Sequence, residues 1–379
     1  MGMEYRKLGR TGLKVSEIGL GTEYLNQQPR RIVTSVIHQA IEQGVNYFDI
    51  VFSFPRYLDN LGAALKGYRK RVCLTGHLGS TEKNGQYFKT RNAKRSEAFF
   101  LNVLARLDAD HVDVLFLHNF NSVAEFEGVT GPGGLLELAG QLRQEGKARF
   151  IGISTHSIEV AHRAIESGQI DVLMFPIHMA ANAVPGKRDL LQACVSAQVG
   201  VVAMKPFAGG KLVREERSIR VARYQMGGTA FLKLKKPASI TPVQCLSYVL
   251  SQVGVSTAVP GCANPKQLKQ VLAYEQATEE EKDFGAVLSD LRQYEAGECV
   301  YCNHCLPCPA AIDVGQVIRL VEMAQRRLTD EMQAAYRALE AKASDCTKCG
   351  ACKERCPFGV DVTAKMEQAV AVFGTASVT

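Results

Sequence analysis

Eight short apolar runs, each followed by an amphipathic helical stretch, succeed one another over the first 275 residues, and few folds accommodate that order. The runs fall at 17–22, 46–51, 72–78, 112–118, 149–155, 172–177, 200–205 and 256–260. Between them lie stretches such as RRIVTSVIHQAIEQG, RSEAFFLNVLARL, GGLLELAGQLRQEGKA and SIEVAHRAIESGQ, with apolar residues at helical spacing. Near-continuous apolar strands that alternate with helices belong to a parallel sheet covered on both faces. Eight such units in about 260 residues match a (β/α)8 TIM barrel of the α/β class. An open doubly wound sheet shares the pattern, because periodicity does not report closure.

Barrel chemistry sits where strands end and βα-loops begin. The second run ends near Asp49, the third runs into His77, the fourth into His118, the fifth into His156 and the sixth into His178. The seventh ends at Lys205, and the eighth runs into Gly261 and Cys262. Four of the chain's eight histidines therefore stand at four successive strand ends. One such residue reads as a hydrogen-bonded rim histidine; four together point to an acid–base or ligand-binding pocket.

The distribution of the twelve cysteines marks a second region. Cys73, Cys194, Cys245 and Cys262 stand alone, whereas eight fall between 299 and 356. Cys299, Cys302, Cys305 and Cys308 form C-x2-C-x2-C-x2-C-P; Cys346, Cys349, Cys352 and Cys356 form C-x2-C-x2-C-x3-C-P. The second group matches the bacterial ferredoxin run, in which three closely spaced thiolates wrap one cluster and the fourth ligates another. Two [4Fe–4S] clusters are expected. In such paired runs, one takes Cys299, Cys302, Cys305 and Cys356, the other Cys346, Cys349, Cys352 and Cys308. Two zinc ions, each held by a set of four thiolates, are the alternative, although zinc ribbons pair separated C-x2-C knuckles. His304, inside the first group, reads as a non-ligating residue. Between the groups, Val317, Ile318, Leu320, Val321 and Met323 recur at helical spacing, and Thr329 is placed to cap a second helix. The tail therefore reads as an α-helical ferredoxin-like domain. The expected division is a barrel over 1–276, a charged linking helix over 277–298 and the cluster domain over 299–379.

Other classes fit less well. The net charge of +7 comes without a long basic run or RNA-type aromatic motif, which argues against nucleic acid. No apolar run approaches the roughly 18–20 residues of a membrane span. The first residues show neither an apolar signal core nor a myristoylation pattern, since position 6 is Arg. A reducing cytoplasmic setting is expected, with anaerobic handling of the clusters.

The segments MEYRKLGRTGLKVSEIGLGT, VDVLFLHNF, EGKARFIGIS, VVAMKPFAGG and VPGCANPKQL, in this order, resemble bacterial aldo-keto reductases over about residues 3–275. The resemblance implies a (β/α)8 barrel, NADP(H) binding and carbonyl reduction with an Asp, Tyr, Lys and His tetrad. Carried over, the Asp is Asp49 and the His is His118, while the Tyr falls on Phe54 and the Lys on His77. Phe54 has no proton to give, and loss of a general acid costs about 10²–10⁴ in rate. Tyr57 is the nearest hydroxyl in the sequence that could replace it. Among cofactor positions the resemblance implies Ser154, Lys205, Gly261, Asn264 and Gln267, while Ala263 stands where an Arg often meets the 2′-phosphate. Met174 takes the place of the usual Gln, and Gln270 and Val271 that of a Glu–Asn pair. FAGGK at 207–211 is a weak phosphate-loop signal.

Nicotinamide delivers two electrons together, whereas clusters pass one each. The combination implies an iron–sulfur oxidoreductase that exchanges electrons with a small-molecule substrate at the barrel mouth, with Asp49, His77 and His118 handling protons. A ferredoxin-like protein is the expected electron partner, with NADP(H) as a possible donor. The alternatives are a metal-assisted enzyme using the strand-end histidines and an electron-transfer protein with a retired barrel.

Overall fold

The alternation becomes strands and helices at the expected places. In this computed structural model, residues 2–83, 85–120, 122–181, 186–213, 218–225, 228–235, 240–285, 287, 299, 305–324, 328–356 and 359–374 are described. The chain divides into two compact units, 1–293 and 294–379.

In the first unit the strands are β1 (Tyr5–Lys7), β2 (Lys14–Ser16), β3 (Leu20–Gly21), β4 (Tyr47–Asp49), β5 (Cys73–Leu78), β6 (Ser80–Lys83), β7 (Gln86–Lys89), β8 (Val112–Phe120), β9 (Ala148–Thr155), β10 (Val172–Pro176), β11 (Gly200–Met204), β12 (Ser218–Gln225), β13 (Gly228–Lys235) and β14 (Val255–Val259). Eight of them form one sheet in the order β3, β4, β5, β8, β9, β10, β11, β14, every pair parallel. Parallel bridges Ile18–Ala258 and Gly21–Gly261 join the two ends, so the sheet closes into a barrel. Closure is what periodicity left open, and it selects the barrel over the open sheet.

The interior is filled by side chains. Leu8, Val15, Tyr47, Val114, Phe116, Val172, Met174 and Val202 pack into one buried cluster. Leu8 and Val15 come from the β1–β2 hairpin, which closes the amino-terminal end of the barrel. Gly152 on β9 is dictated by this packing, since a Cβ there would lie 2.5 Å from the Phe116 ring. Helices cover the outside with single apolar stripes. Helix α1 (Arg30–Glu42) buries Val33, Val36, Ile37, Ala40 and Ile41, the i, i+3, i+4 pattern of a core-facing helix. Starts are fixed by caps, such as Ser157 on Val160 N and Thr241 in a capping box with Gln244.

In the second unit, helices Val314–Ala324, Asp330–Arg337 and Val362–Phe373 pack on one another through Val317, Ile318, Val321, Met366 and Ala369. Thr329 caps Asp330–Arg337 by accepting from Met332 N at 3.3 Å. Tyr336 stacks on Phe373 with ring centroids 4.3 Å apart. Among the described residues this unit contains helices and turns but no strand. Of the linking helix expected over 277–298, residues 288–298 lie outside the described residues. The described part is one capped turn, Glu279–Lys282, after which Asp283 is extended.

Candidate active site and cluster ligands

Strand ends bring Asp49, His77 and His118 together at the carboxyl end of the barrel. They lie on β4, β5 and β8, which are adjacent in the sheet. Pairing of β5 with β8 sets His77 opposite Phe116, and the two rings stack at 5.2 Å. His77 Nε2 lies 2.9 Å from Asp49 Oδ1, and His77 Nδ1 lies 2.9 Å from His118 Nδ1. The Thr75 hydroxyl also donates to Asp49 Oδ1, at 2.6 Å. His118 Nε2 is 2.6 Å from the hydroxyl of Tyr87, a residue of β7. All four groups thus form one hydrogen-bonded chain.

Protonation follows from the surroundings. Burial pushes His118 well below its usual range, and the positive field of His77, Arg91, Lys89 and Lys205 adds to it. His118 is therefore a neutral imidazole with one donor and one acceptor nitrogen. Burial pushes the Tyr87 phenol up, against the opposing charge of Arg91, so it keeps its proton. This assignment satisfies every link: Tyr87 donates to His118 Nε2, His118 Nδ1–H to His77 Nδ1, and His77 Nε2–H to Asp49. Both nitrogens of both imidazoles are thereby occupied.

The other strand-end residues do not join this chain. His156 is buried just beyond β9. His178 is buried with neither ring nitrogen partnered among the described residues. Burial first, then the charges of Lys187 and Lys205, push His178 down to about 3. Lys187 is itself buried, pushed down to about 8 by burial, and donates to the Tyr248 hydroxyl at 2.7 Å. Tyr57 is buried with its hydroxyl bonded to Thr22 Oγ1, and burial raises its phenol too. Among the described residues, no three His, Cys, Asp or Glu side chains converge as a single metal ion requires. His77 and His118 bond to each other rather than facing a common point.

Sequence reading missed two contributors. Tyr87 lies on a hairpin, β6–β7, whose signal was present: Asn84–Gly85 is a favoured two-residue hairpin dipeptide. Glu23, in a 3-10 turn after β3, is half-buried; burial raises its pKa while Lys205 opposes the rise.

Of the positions carried over for a nicotinamide nucleotide, Asn264 and Gln267 bond within the chain. Asn264 caps α9 (Pro265–Leu272, the helix after β14) by accepting from Gln267 N at 3.0 Å. Gln267 Oε1 in turn accepts from Ala263 N at 2.8 Å. A helix N-terminus binds anions through free amides, and these side chains already satisfy two of them. Gly261 is covered by Tyr24, whose ring would lie 2.1 Å from a Cβ. Ser154 is buried on β9, and Lys205 follows β11 with φ 57°. FAGGK forms turns with Ala208, Gly209 and Gly210 left-handed.

The second unit gathers its thiols. Lys348 and Gly350 hold left-handed backbone, φ 54° and 78°, and turn the chain around one cavity. Cys308, Cys346, Cys349 and Cys352 line that cavity. Cys305 also reaches its wall. Cys299 and Cys305 are buried in the unit's core, Cys356 packs against that core, and Cys356 Sγ accepts from Val360 N at 3.4 Å. Cys302 and His304 lie outside the described residues. Thiols around a cavity, rather than at a point, fit an iron–sulfur cluster better than a single zinc ion.

A model of the aldo/keto reductase family matches residues 17–289. The chain belongs to the aldo/keto reductase family. A model of a 4Fe-4S dicluster domain matches residues 295–360, so this family member is an iron–sulfur oxidoreductase. L-galactose dehydrogenase of Arabidopsis thaliana is 27% identical over 315 residues, covering 78% of this chain and 94% of that one. Aldo-keto reductase YhdN of Bacillus subtilis is 25% identical over 318 residues, covering 76% and 94%. Among solved structures, aldo-keto reductase AKR11C1 of Bacillus halodurans in its holo form superposes with a TM-score of 0.58 at 23% identity, over 76% of this chain and 96% of that one. That last likeness concerns the barrel fold.

Proposed function

We propose that the chain oxidises or reduces a small molecule at the carboxyl end of the barrel, with protons handled by Asp49, His77 and His118. Its electrons pass through two [4Fe–4S] clusters, and a ferredoxin-like protein is the partner class suited to them. The observation that carries the reading is the Asp49–His77–His118 chain, buried where this family does its chemistry. Cys308 would join Cys346, Cys349 and Cys352 on one cluster, a grouping their shared cavity supports. Cys299, Cys302, Cys305 and Cys356 would hold the other. When bound, the clusters supply one-electron transfer at potentials set by their surroundings. The protein supplies the protons: two imidazoles in series can take a proton at one end and release one at the other.

The test uses holoprotein prepared anaerobically. Dithionite-reduced protein is mixed with a panel of short aldehydes and ketones, and oxidised protein with the matching alcohols, while cluster absorbance is followed. His77→Ala and His118→Ala are expected to slow substrate-dependent reoxidation or bleaching by about 10²–10⁴-fold. Unchanged rates in both variants would sink the reading. Redox-active clusters that respond to no probe would favour an electron carrier with a retired barrel. Bleaching of the oxidised clusters by NADPH would show that a nicotinamide donor binds.

A further inference from the structure

The sequence lacks a phenol where the family keeps one, yet a phenol stands at the end of the imidazole chain. We propose that Tyr87 is the catalytic residue that exchanges a proton with the substrate oxygen, in place of the hydroxyl missing at Phe54. This rests on the function proposed above and adds the atom at which the proton crosses.

The placement of Tyr87 is built rather than incidental. Gly79, with φ 93°, turns the chain out of β5 into the hairpin. Pairing of β6 with β7 sets Tyr87 opposite Glu82. The base is fastened to the barrel: Ser80 Oγ donates to Val51 O at 2.5 Å, and Thr90 N donates to Gly79 O at 2.9 Å. Arg95 donates to Glu82 O at 2.9 Å. Along β7, Gln86 and Phe88 are exposed while Tyr87 and Lys89 are half-buried, so strand alternation turns the phenol inward. Its ring meets His118 edge-on at 5.8 Å and Phe52 at 5.9 Å. Phe52 also touches Phe54, at 5.3 Å, so Tyr87 shares an aromatic wall with the ring that lost its hydroxyl. Arg91 holds the His118 end by donating to the backbone carbonyls of His118 and Asn119, both at 2.7 Å, and is neutralised by Glu125 at 2.8 Å.

The chain has two proton states that differ by one proton. In the first, Asp49 is a carboxylate and each O–H or N–H points toward it. In the second, Asp49 carries a proton and the whole series is reversed, leaving Tyr87 O–H aimed away from His118. From the second state, a substrate oxyanion takes the Tyr87 proton. His118 Nε2–H then restores Tyr87, His77 Nδ1–H restores His118, and the Asp49 proton restores His77. One O–H bond forms on the substrate and one breaks on Asp49; no electron moves in the step. Run backward, the same series accepts a proton from an alcohol.

The test again uses anaerobic holoprotein and the aldehyde, ketone and alcohol panel. Tyr87→Phe keeps the ring and removes only the hydroxyl. We expect a fall of about 10²–10⁴-fold in substrate-dependent cluster reoxidation, matched by His118→Ala. A second readout does not depend on turnover: in ¹⁵N-histidine-labelled protein, the His118 Nε2 resonance is set in the wild type by the hydrogen bond from Tyr87 and shifts in Tyr87→Phe. Turnover within threefold of wild type in Tyr87→Phe, with His118→Ala inactive, overturns the role of Tyr87 and leaves the proposed function standing. Loss of turnover with an unchanged His118 Nε2 resonance also overturns it, because Tyr87 then acts outside the chain. Unchanged turnover in both variants overturns the two together.

Discussion

The two units solve the problem of a stable core in opposite ways. The barrel buries eight parallel strands on both faces and fills its interior with Leu8, Tyr47, Val114 and Phe116. Its fold needs nothing from outside the chain. The second unit packs three short helices of 11, 8 and 12 residues, and the core they share takes in Cys299 and Cys305. Small units without a sufficient apolar core rely on metals or cross-links. The difference teaches that stability in one region comes from chain topology, and in the other is tied to the ligands its thiols hold.

The sharpest way to break this comparison is to remove iron. Chelation under reducing conditions, or Cys349→Ala with Cys352→Ala, is expected to unfold most of 299–374, because ligand binding and folding are one event in such units. Hydrogen exchange would show protection lost there and retained in the barrel strands. A barrel that melts with the clusters would refute its independence. A smaller effect tests the barrel's own packing. Gly152→Ala forces a methyl against Phe116 and should destabilise the barrel by about 1–3 kcal/mol, lowering its thermal midpoint without altering the cluster spectrum. The smallest is a slope. His178 is held neutral in the fold, pushed down to about 3, so its folded pKa lies below the unfolded value near 6.5. Between those values the unfolded state binds the extra proton, and barrel stability falls as pH falls, by at most about 1.4 kcal/mol per pH unit from this group. Urea midpoints between pH 7 and 5 should drop less steeply in His178→Gln. Equal slopes would mean that His178 is not the group that titrates.

Much of the fold could be read directly. The eight apolar runs correspond to β3, β4, β5, β8, β9, β10, β11 and β14, displaced by up to three residues at their ends. Asp49, His77 and His118 were legible because strand ends are a fixed address in a barrel, and counting strands finds them. The loops were less legible. Hairpins β6–β7 and β12–β13 and the helix Val123–Thr130 lie between the apolar runs and leave no barrel period in the sequence. Each is an excursion whose residues answer to local partners and not to the barrel's period. Asn264 and Gln267 show the converse. Their types suited a nucleotide, but in the fold they cap α9 and bond back toward the backbone of its first turn. A side chain able to bind a phosphate is equally able to satisfy a helix end.

Strand period and cysteine spacing are one-dimensional quantities, so the order of residues alone specified a barrel followed by thiols spaced for clusters. Which hydrogen bond each buried imidazole makes is not written in spacing. His77 and His118 face each other because β5 and β8 are neighbours in the closed sheet, and Tyr87 reaches His118 because a hairpin folds back over the strand ends. Those contacts join residues far apart along the chain, and only the closed three-dimensional packing brings their atoms within bonding distance.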